Sequence, residues 1–175
     1  TWLTSFLSGS QRVLESLDTP VTVEEPAAPV PWNDPQGAVR FDNVTFGYDR
    51  NQPVLHDVSF MVAPGEMVGI VGRSGSGKTT LVNLLGRFYD VQEGRIEIDG
   101  IDVRDLSTRQ LREGLGIVFQ DSFLFRGTIW KNLAYGKPSA TIEEGLAAAK
   151  AAGAHDFLCR QPLAYETLLG EHGAG

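Results

Sequence analysis

A glycine-rich loop is the strongest chemical signal in the sequence. Residues 72–79 read Gly-Arg-Ser-Gly-Ser-Gly-Lys-Thr and match the pattern G-x-x-x-x-G-K-[ST] completely. Its glycines let successive backbone N–H groups surround a phosphate, and the following helix adds the positive end of its dipole. Lys78 supplies a charge for the phosphate oxygens, and the Thr79 hydroxyl can ligate Mg²⁺. The loop predicts a nucleoside triphosphate site, which kinases, GTPases, motor proteins and transport ATPases share.

The elements that must position this loop indicate an α/β fold. Residues 67–71 form a short apolar run, as expected for a buried parallel strand before the loop. A helix is predicted from the loop to about Arg87, and a second buried strand over residues 115–119. Alternating strands and helices indicate an α/β core of the P-loop NTPase type.

Antiparallel strands are predicted at the front edge of this core. Apolar residues alternate over residues 39–46 and again over 58–62, which predicts two strands joined by a loop. Residues 96–103 predict a hairpin with Asp99-Gly100 at its tight turn. Further helices are predicted from Ser107, over residues 128–135, and to about Ala152 behind a capping box of Thr141 and Glu144.

The N-terminal part of the chain differs in composition. Apolar residues recur every three to four positions in residues 1–18, which predicts an amphipathic helix. Residues 19–37 hold five of the nine prolines, so we expect a semi-rigid linker. The expected organisation is therefore a helix, a linker, and a domain over residues 38–175.

Composition excludes several classes of protein. Of 175 residues, 42% are hydrophobic and 21% charged, as in an ordinary globular protein. The net charge is −7, with 15 basic and 22 acidic side chains, which argues against binding nucleic acid through a broad basic face. The single cysteine, Cys159, excludes an internal disulfide and a cysteine zinc cluster, and no apolar run approaches the length of a membrane span.

Motifs flanking the loop narrow the class. Residues 44–48 (Val-Thr-Phe-Gly-Tyr), with Pro-Val-Leu at 53–55, resemble the aromatic-loop segment of ABC exporters. Residues 38–173 as a whole resemble the first two-thirds of an exporter nucleotide-binding domain. The resemblance implies that Tyr48 stacks on adenine, and an aromatic face can do this without reading hydrogen-bond edges. The alternative is a tyrosine that only caps an edge strand.

Residues 116–121 resemble the start of the family's glutamine loop. The resemblance implies that Gln120 joins the Mg²⁺ shell or holds the attacking water. Two alternatives stay open: Gln120 is a surface residue, or the strand ending at Asp121 is the Walker B strand of another NTPase class.

The resemblance implies ATP and Mg²⁺ as ligands and no catalytic residue within this chain. The signature motif, Walker B and the general base are expected beyond Gly175, so these residues alone are expected to bind nucleotide without turnover. The ABC ATPase core, with its antiparallel edge and the start of a helical subdomain, is then incomplete here. Metal ligands are Thr79 and Gln120, and the nucleotide-binding residues are Tyr48, Gly72, Arg73, Ser74, Gly75, Ser76, Gly77, Lys78, Thr79, Thr80 and Gln120.

The resemblance also implies partners and a location. Residues 123–133 match the surface that receives the transmembrane domain of the transporter, although Trp130 there can equally be a packing residue. Residues 10–18 resemble the join to the last membrane helix, and residues 170–173 resemble a Gly-Glu-Arg-Gly segment with His172 in place of arginine. The implied partners are the transmembrane domain and a second nucleotide-binding domain, identical or not, at the cytoplasmic face of the membrane.

The resemblance implies that the whole protein couples ATP binding and hydrolysis to export of a substrate across a membrane, and two other functions fit the same motifs. One is an ABC-type ATPase without a transport role. The other is a regulatory cassette that binds ATP without hydrolysing it, as one half of an asymmetric pair.

Overall fold

The computed structural model describes residues 22–120 and 123–170. The chain divides into two compact units, the first ending at Leu115 and the second beginning at Gly116. The predicted helix over residues 1–18, Asp121 and the segment around His172 lie outside the described residues. Within the described ranges, no helix is long and apolar enough to cross a membrane.

The first unit is built on an antiparallel sheet of four strands. Its strands are β1 (Val39–Phe46), β2 (Leu55–Val62), β3 (Glu93–Ile98) and β4 (Ile101–Asp102), in the order β2-β1-β3-β4. β1 pairs with both β2 and β3, and its Phe41 lies opposite Phe60 of β2 and Ile96 of β3. The predicted antiparallel strands are therefore confirmed, and the second begins three residues earlier than expected, at Leu55.

Two helices complete the first unit. Helix α1 (Lys78–Leu85) follows the glycine-rich loop as predicted, and helix α2 (Thr108–Glu113) begins after Ser107, whose side chain accepts a hydrogen bond from the Gln110 N–H. Both helices bury leucines against one face of the sheet, and each fully buried side chain of this size stabilises the fold by about 1.5–3 kcal/mol. The buried core contains Trp32, Phe41, Val44, Phe46, Leu55, Leu84, Ile96, Ile98, Val103, Leu106 and Leu111.

The hairpin between β3 and β4 forms at the predicted turn. Asp99 and Gly100 both have positive φ, 52° and 79°, as a type I′ turn requires at its two central positions. Aspartate and glycine are among the residues that adopt this conformation most readily. The local sequence therefore sets the register in which Ile98 faces Ile101.

The two predicted parallel strands are wrong for this structure. Residues 67–71 and 115–119 contain no strand, and Met67, Val71 and Val118 are more than 90% exposed. A strand satisfies its backbone only through neighbouring strands, so its propensity depends on context. Among residues 22–120 and 123–170, the sheets hold six strands and neither stretch pairs with any of them. An apolar run that has no neighbouring strand to hydrogen-bond with does not form a strand.

Residues 22–37 contain neither helix nor strand, yet they are attached to the first unit. Trp32 is buried in its core, and the Val30 N–H donates to the Asp105 carbonyl at 2.8 Å. The buried guanidinium of Arg87 donates to the Glu24 carbonyl at 2.8 Å and to the Leu106 carbonyl at 3.2 Å. This described part of the proline-rich segment therefore packs along the unit, while a domain boundary near residue 37 stays a prediction.

The second unit is mostly helical. It contains α3 (Ile129–Leu133), α4 (Ile142–Ala151) and α5 (His155–Cys159), short 3₁₀ turns at Ala134–Gly136 and Ala164–Glu166, and a two-stranded ribbon of β5 (Gly127–Thr128) and β6 (Leu168–Leu169). The predicted helices over 128–135 and up to about residue 152 are confirmed. Ile129, Ala149 and Leu158 form its buried core.

Helix α4 begins at the predicted capping box. Thr141 accepts a hydrogen bond from the Glu144 N–H at 3.2 Å, and Glu144 accepts one from the Thr141 N–H at 2.9 Å. Trp130 packs its ring against Gly145 on this helix, where an added Cβ would lie 2.8 Å from Cη2 of the indole. Trp130 is thus a packing residue within its own unit.

Candidate functional site

The glycine-rich loop forms an exposed turn that leads into α1. Gly75 and Gly77 have φ of 81° and 89°, a region that L side chains rarely adopt. The Ser76 N–H donates to the Arg73 carbonyl at 3.2 Å and closes the turn. An added Cβ at Gly77 would lie only 2.6 Å from Cδ2 of Leu55. Gly77 therefore allows both the turn and the close packing of the loop on the start of β2.

The side chain of Lys78, the first residue of α1, lies against this loop. Its ammonium donates to the carbonyls of Gly72 at 3.0 Å and Arg73 at 2.8 Å, and lies 3.5 Å from the Ser76 hydroxyl. The side chain therefore folds back over the residues that precede it. Because a lysine ammonium has three donors and no acceptor, phosphate oxygens could replace these carbonyls as partners.

The N-terminus of α1 is suited to an anion. Gly77 occupies the N-cap position, so the first turn receives no side-chain hydrogen bond from its cap, and this turn contains no acidic residue. The N–H groups there are the positive end of the helix dipole. Thr79 is exposed on this turn, and its hydroxyl is a hard oxygen of the kind that Mg²⁺ accepts alongside water and phosphate. The residues present therefore fit a Mg²⁺-bound triphosphate.

Tyr48 lies beside the same helix. Its hydroxyl accepts a hydrogen bond from Nδ2 of Asn83 at 3.2 Å and lies 3.4 Å from the Thr80 hydroxyl. Its ring meets Phe46 and Tyr89 edge-on, with centroids 5.3 and 5.1 Å away. The residue is 55% exposed. The structure therefore joins two separately predicted features, the aromatic loop and the helix of the phosphate loop.

Thr80 and Gln120 differ from the rest of the predicted set. Thr80 is buried, and its hydroxyl contacts Tyr48 rather than the open side of the loop. Gln120 is exposed and lies outside helices and strands in the second unit, next to the undescribed residues 121 and 122. The remaining predicted residues, Gly72, Arg73, Ser74, Gly75, Ser76, Gly77, Lys78 and Thr79, form one continuous segment.

A residue that sequence reasoning missed supports the aromatic loop. Gln92 accepts a hydrogen bond from the Gly47 N–H at 2.9 Å and donates one to the Gly47 carbonyl at 2.8 Å. It also borders a cavity of about 560 Å³ lined by Tyr48 and Tyr89. Because 45 residues separate the two partners, no local pattern could have identified Gln92.

A metal site made of clustered side chains is absent from the part of the chain that the structure describes. There, no group of three or more His, Cys, Asp or Glu side chains is placed to hold an ion. A hydroxyl such as that of Thr79 remains the ligand type that the site offers.

Comparisons with known proteins indicate the family and the fold. Residues 55–175 match the sequence model of a family described as "ABC transporter". The chain is 48% identical over 174 residues to the putative multidrug export ATP-binding/permease protein YgaD of Bacillus subtilis, covering 99% of this chain and 30% of that protein. It is 43% identical over 171 residues to the fatty acid ABC transporter ATP-binding/permease protein of Mycobacterium bovis, covering 98% of this chain and 27% of that protein.

A solved structure shows the same fold. A bacterial Atm1-family ABC exporter with ATP bound superposes with a TM-score of 0.83 at 48% identity, over 95% of this chain and 30% of the exporter chain. This likeness confirms the predicted P-loop NTPase fold with its antiparallel edge, although the two predicted parallel strands do not form in the part of the chain that the structure describes. The chain spans about 30% of the length of these relatives.

Proposed function

Because this chain belongs to the ABC transporter family and resembles its exporters, we propose that residues 72–80 bind the triphosphate of ATP and that the whole protein uses ATP to export a substrate. One observation carries the proposal: the ammonium of Lys78 lies among the loop carbonyls at the start of α1, whose N-cap is a glycine. A cation and free helix N–H groups at one point favour a polyanion.

Each residue has a role in this proposal. Lys78 contacts the β- and γ-phosphate oxygens, and the N–H groups of the loop surround the β-phosphate. The hydroxyl of Thr79 ligates Mg²⁺, and the side chain of Gln120 completes that shell or holds the attacking water. Mg²⁺ held there would supply positive charge that offsets the negative charge of the phosphates during transfer.

Tyr48 holds the base. Its ring contacts Phe46 and Tyr89 in T-shaped arrangements, and 55% of the residue is exposed to solvent, where a base could stack. Stacking on an aromatic ring contributes about 1–3 kcal/mol per base. Adenine would therefore lie beside α1 while the phosphates occupy the loop.

The second unit receives a membrane partner in this proposal. An apolar cavity of about 660 Å³ is lined by Leu124, Ile129, Leu133 and Phe157, among others. Tyr135 is also exposed, with its ring stacked 4.2 Å from that of Phe125. A surface of this character around residues 123–133 suits contact with a transmembrane domain. A second nucleotide-binding domain, identical or different, and a place at the cytoplasmic face of the membrane complete the proposal.

Nucleotide turnover requires more than these residues supply. The acidic residues that follow Asp121 in the sequence are not preceded by an apolar strand of the Walker B type. We therefore expect the 175 residues by themselves to bind MgATP weakly and to leave it intact.

Replacing Lys78 tests the proposal. Lys78→Ala should weaken MgATP binding to the full-length protein by about 10-fold to 100-fold, because a charge-assisted contact is worth about 1.5–3 kcal/mol. Lys150→Ala, at an exposed position in the last turn of α4, controls for the loss of one positive charge. Unchanged affinity of the Lys78→Ala protein in calorimetric titration would refute the nucleotide site.

A further inference from the structure

We propose that Gln92 is a positioning residue for nucleotide binding, which sets the place of Tyr48 through the backbone of Gly47 and touches no nucleotide itself. This inference rests on the proposed function, since it assumes that Tyr48 stacks on the base.

The first step concerns the hydrogen bonds of Gly47. β1 ends at Phe46, whose carbonyl still accepts from the Val54 N–H at 2.7 Å. Beyond that point, the side-chain amide of Gln92 bonds both the N–H and the carbonyl of Gly47, at 2.9 and 2.8 Å. Gly47 is buried, so loss of this amide would leave two polar backbone groups without their partner.

The second step concerns how tightly Gly47 is enclosed. An added Cβ would lie 2.7 Å from the Asp49 carbonyl oxygen and 2.8 Å from Cα of Pro53. The loop that follows β1 therefore folds back directly onto Gly47. Since Tyr48 is the next residue, the position of Gly47 determines where the tyrosine leaves the backbone.

The third step is that residues 89–92 contact both the backbone that precedes Tyr48 and the ring of Tyr48. Gln92 fixes the backbone before it, and Tyr89, three residues earlier, meets its ring edge-on with centroids 5.1 Å apart. The Gln92 N–H also donates to the Thr45 carbonyl at 3.2 Å, which attaches this segment to β1. On the other side, Asn83 of α1 donates to the tyrosine hydroxyl.

These contacts order Tyr48 before any ligand arrives. A side chain that is already held in place loses less freedom when it stacks, so binding is tighter. Gln92 should therefore affect the part of the affinity that comes from the base, and leave the part that comes from the phosphates.

The experiment compares MgATP with Mg²⁺-tripolyphosphate, which has no base, in calorimetric titrations of the full-length protein. Gln92→Ala should weaken MgATP binding by about 3-fold to 10-fold, the effect of one or two lost ordering contacts, and should leave tripolyphosphate affinity unchanged. Gln92→Glu keeps the size of the side chain and the acceptor for the Gly47 N–H, but it places a carboxylate oxygen against the Gly47 carbonyl, so its loss of MgATP affinity should be at least as large as that of Gln92→Ala.

Two further variants make the test specific. In a Tyr48→Ala background, Gln92→Ala should cause no additional loss of MgATP affinity, because the residue that it positions is gone. Gln52→Ala is the matched control: this glutamine lies in the loop between β1 and β2 that also holds Tyr48, is exposed, and makes no side-chain hydrogen bond to the residues that the structure describes. It should bind both ligands like the parent protein.

The outcomes separate this inference from the proposed function. If Gln92→Ala weakens the binding of ATP and tripolyphosphate equally, or leaves ATP affinity unchanged while Tyr48→Ala lowers it, the inference is overturned and the ATP site stands. If Lys78→Ala and Tyr48→Ala both leave MgATP affinity unchanged, the proposed function itself fails.

Discussion

The indole N–H of Trp32 donates a 2.9 Å hydrogen bond to Oδ2 of Asp99, 67 residues further along the chain. Asp99 also accepts from the N–H groups of Gln36 at 2.9 Å and Ala38 at 2.8 Å. The residue that forms the β3–β4 turn is thus also the anchor for the segment that leads into β1. The carboxylate thus adds three hydrogen bonds to the link that the pairing of β1 with β3 makes between these two parts of the first unit.

Trp32 should be one of the most important residues for the stability of the first unit. The residue is 8% exposed, and its ring packs against Gly114, where an added Cβ would lie 2.5 Å from Cζ3. Trp32→Ala should lower the free energy of unfolding by about 3–5 kcal/mol. Trp32→Phe keeps an apolar ring and should cost less. Denaturant unfolding measures both, and equal effects of the two variants would contradict this account of the packing.

Asp99 should make the stability depend on acid pH. Burial raises the pKa of this carboxyl, but hydrogen bonds from Trp32, Ala38 and Gln36 outweigh it and lower the pKa below its ordinary value. Its contribution is therefore present above the unfolded pKa of about 3.9 and is lost as the pH falls through the lower folded pKa. The stability difference between the parent protein and Asp99→Asn should narrow below about pH 4.

Asparagine is a suitable replacement in that experiment because it tolerates the left-handed conformation that this turn requires. The unfolding free energies of both proteins are measured from pH 7 downwards. A difference that stays constant at every pH would show that the ionised form of Asp99 has no special role.

Gly77 should be needed for the shape of the loop. Gly77→Ala places a Cβ in a left-handed conformation and 2.6 Å from the Leu55 side chain, so the loop must shift. We expect MgATP affinity to fall at least 10-fold, a change of about 1.4 kcal/mol. Gly65→Ala is the matched control, since its φ is also positive, at 73°, but an added Cβ there meets no atom within 4 Å. Equal nucleotide affinity in the two variants would contradict the expected role of Gly77.

Thr141 should stabilise the start of α4. Thr141→Ala removes one of the two bonds of the capping box and should cost about 0.5–2 kcal/mol. Thr141→Ser keeps the hydroxyl and is the control. Amide hydrogen exchange in the first turn of α4 reports the effect, and protection factors that do not change in Thr141→Ala would refute it.

Sequence alone was sufficient where the determinants are close neighbours in the chain. The Asp99-Gly100 turn, the capping box of Thr141 and the loop that ends at Lys78 each depend on residue types within a few positions. Their conformations follow from backbone sterics and short-range hydrogen bonds. These predictions are confirmed as local structure, while the nucleotide roles of the loop residues stay predictions.

Features that depend on distant partners could not be predicted. Gln92 and Gly47 are 45 residues apart, and Trp32 and Asp99 are 67 apart, so neither contact leaves a periodic pattern. The prediction of strands over residues 67–71 and 115–119 was wrong for a related reason. Their composition suits a buried strand, but a strand forms only where another one supplies its hydrogen bonds.

The hydrogen bonds that Lys78 already makes affect how the loop can bind an anion. Its ammonium already donates to the carbonyl oxygens of Gly72 and Arg73. An anion that binds Lys78 must therefore replace these carbonyls as hydrogen-bond acceptors. In the proposed function, the triphosphate of ATP has several negative oxygens that can take the place of both carbonyls as partners of the ammonium.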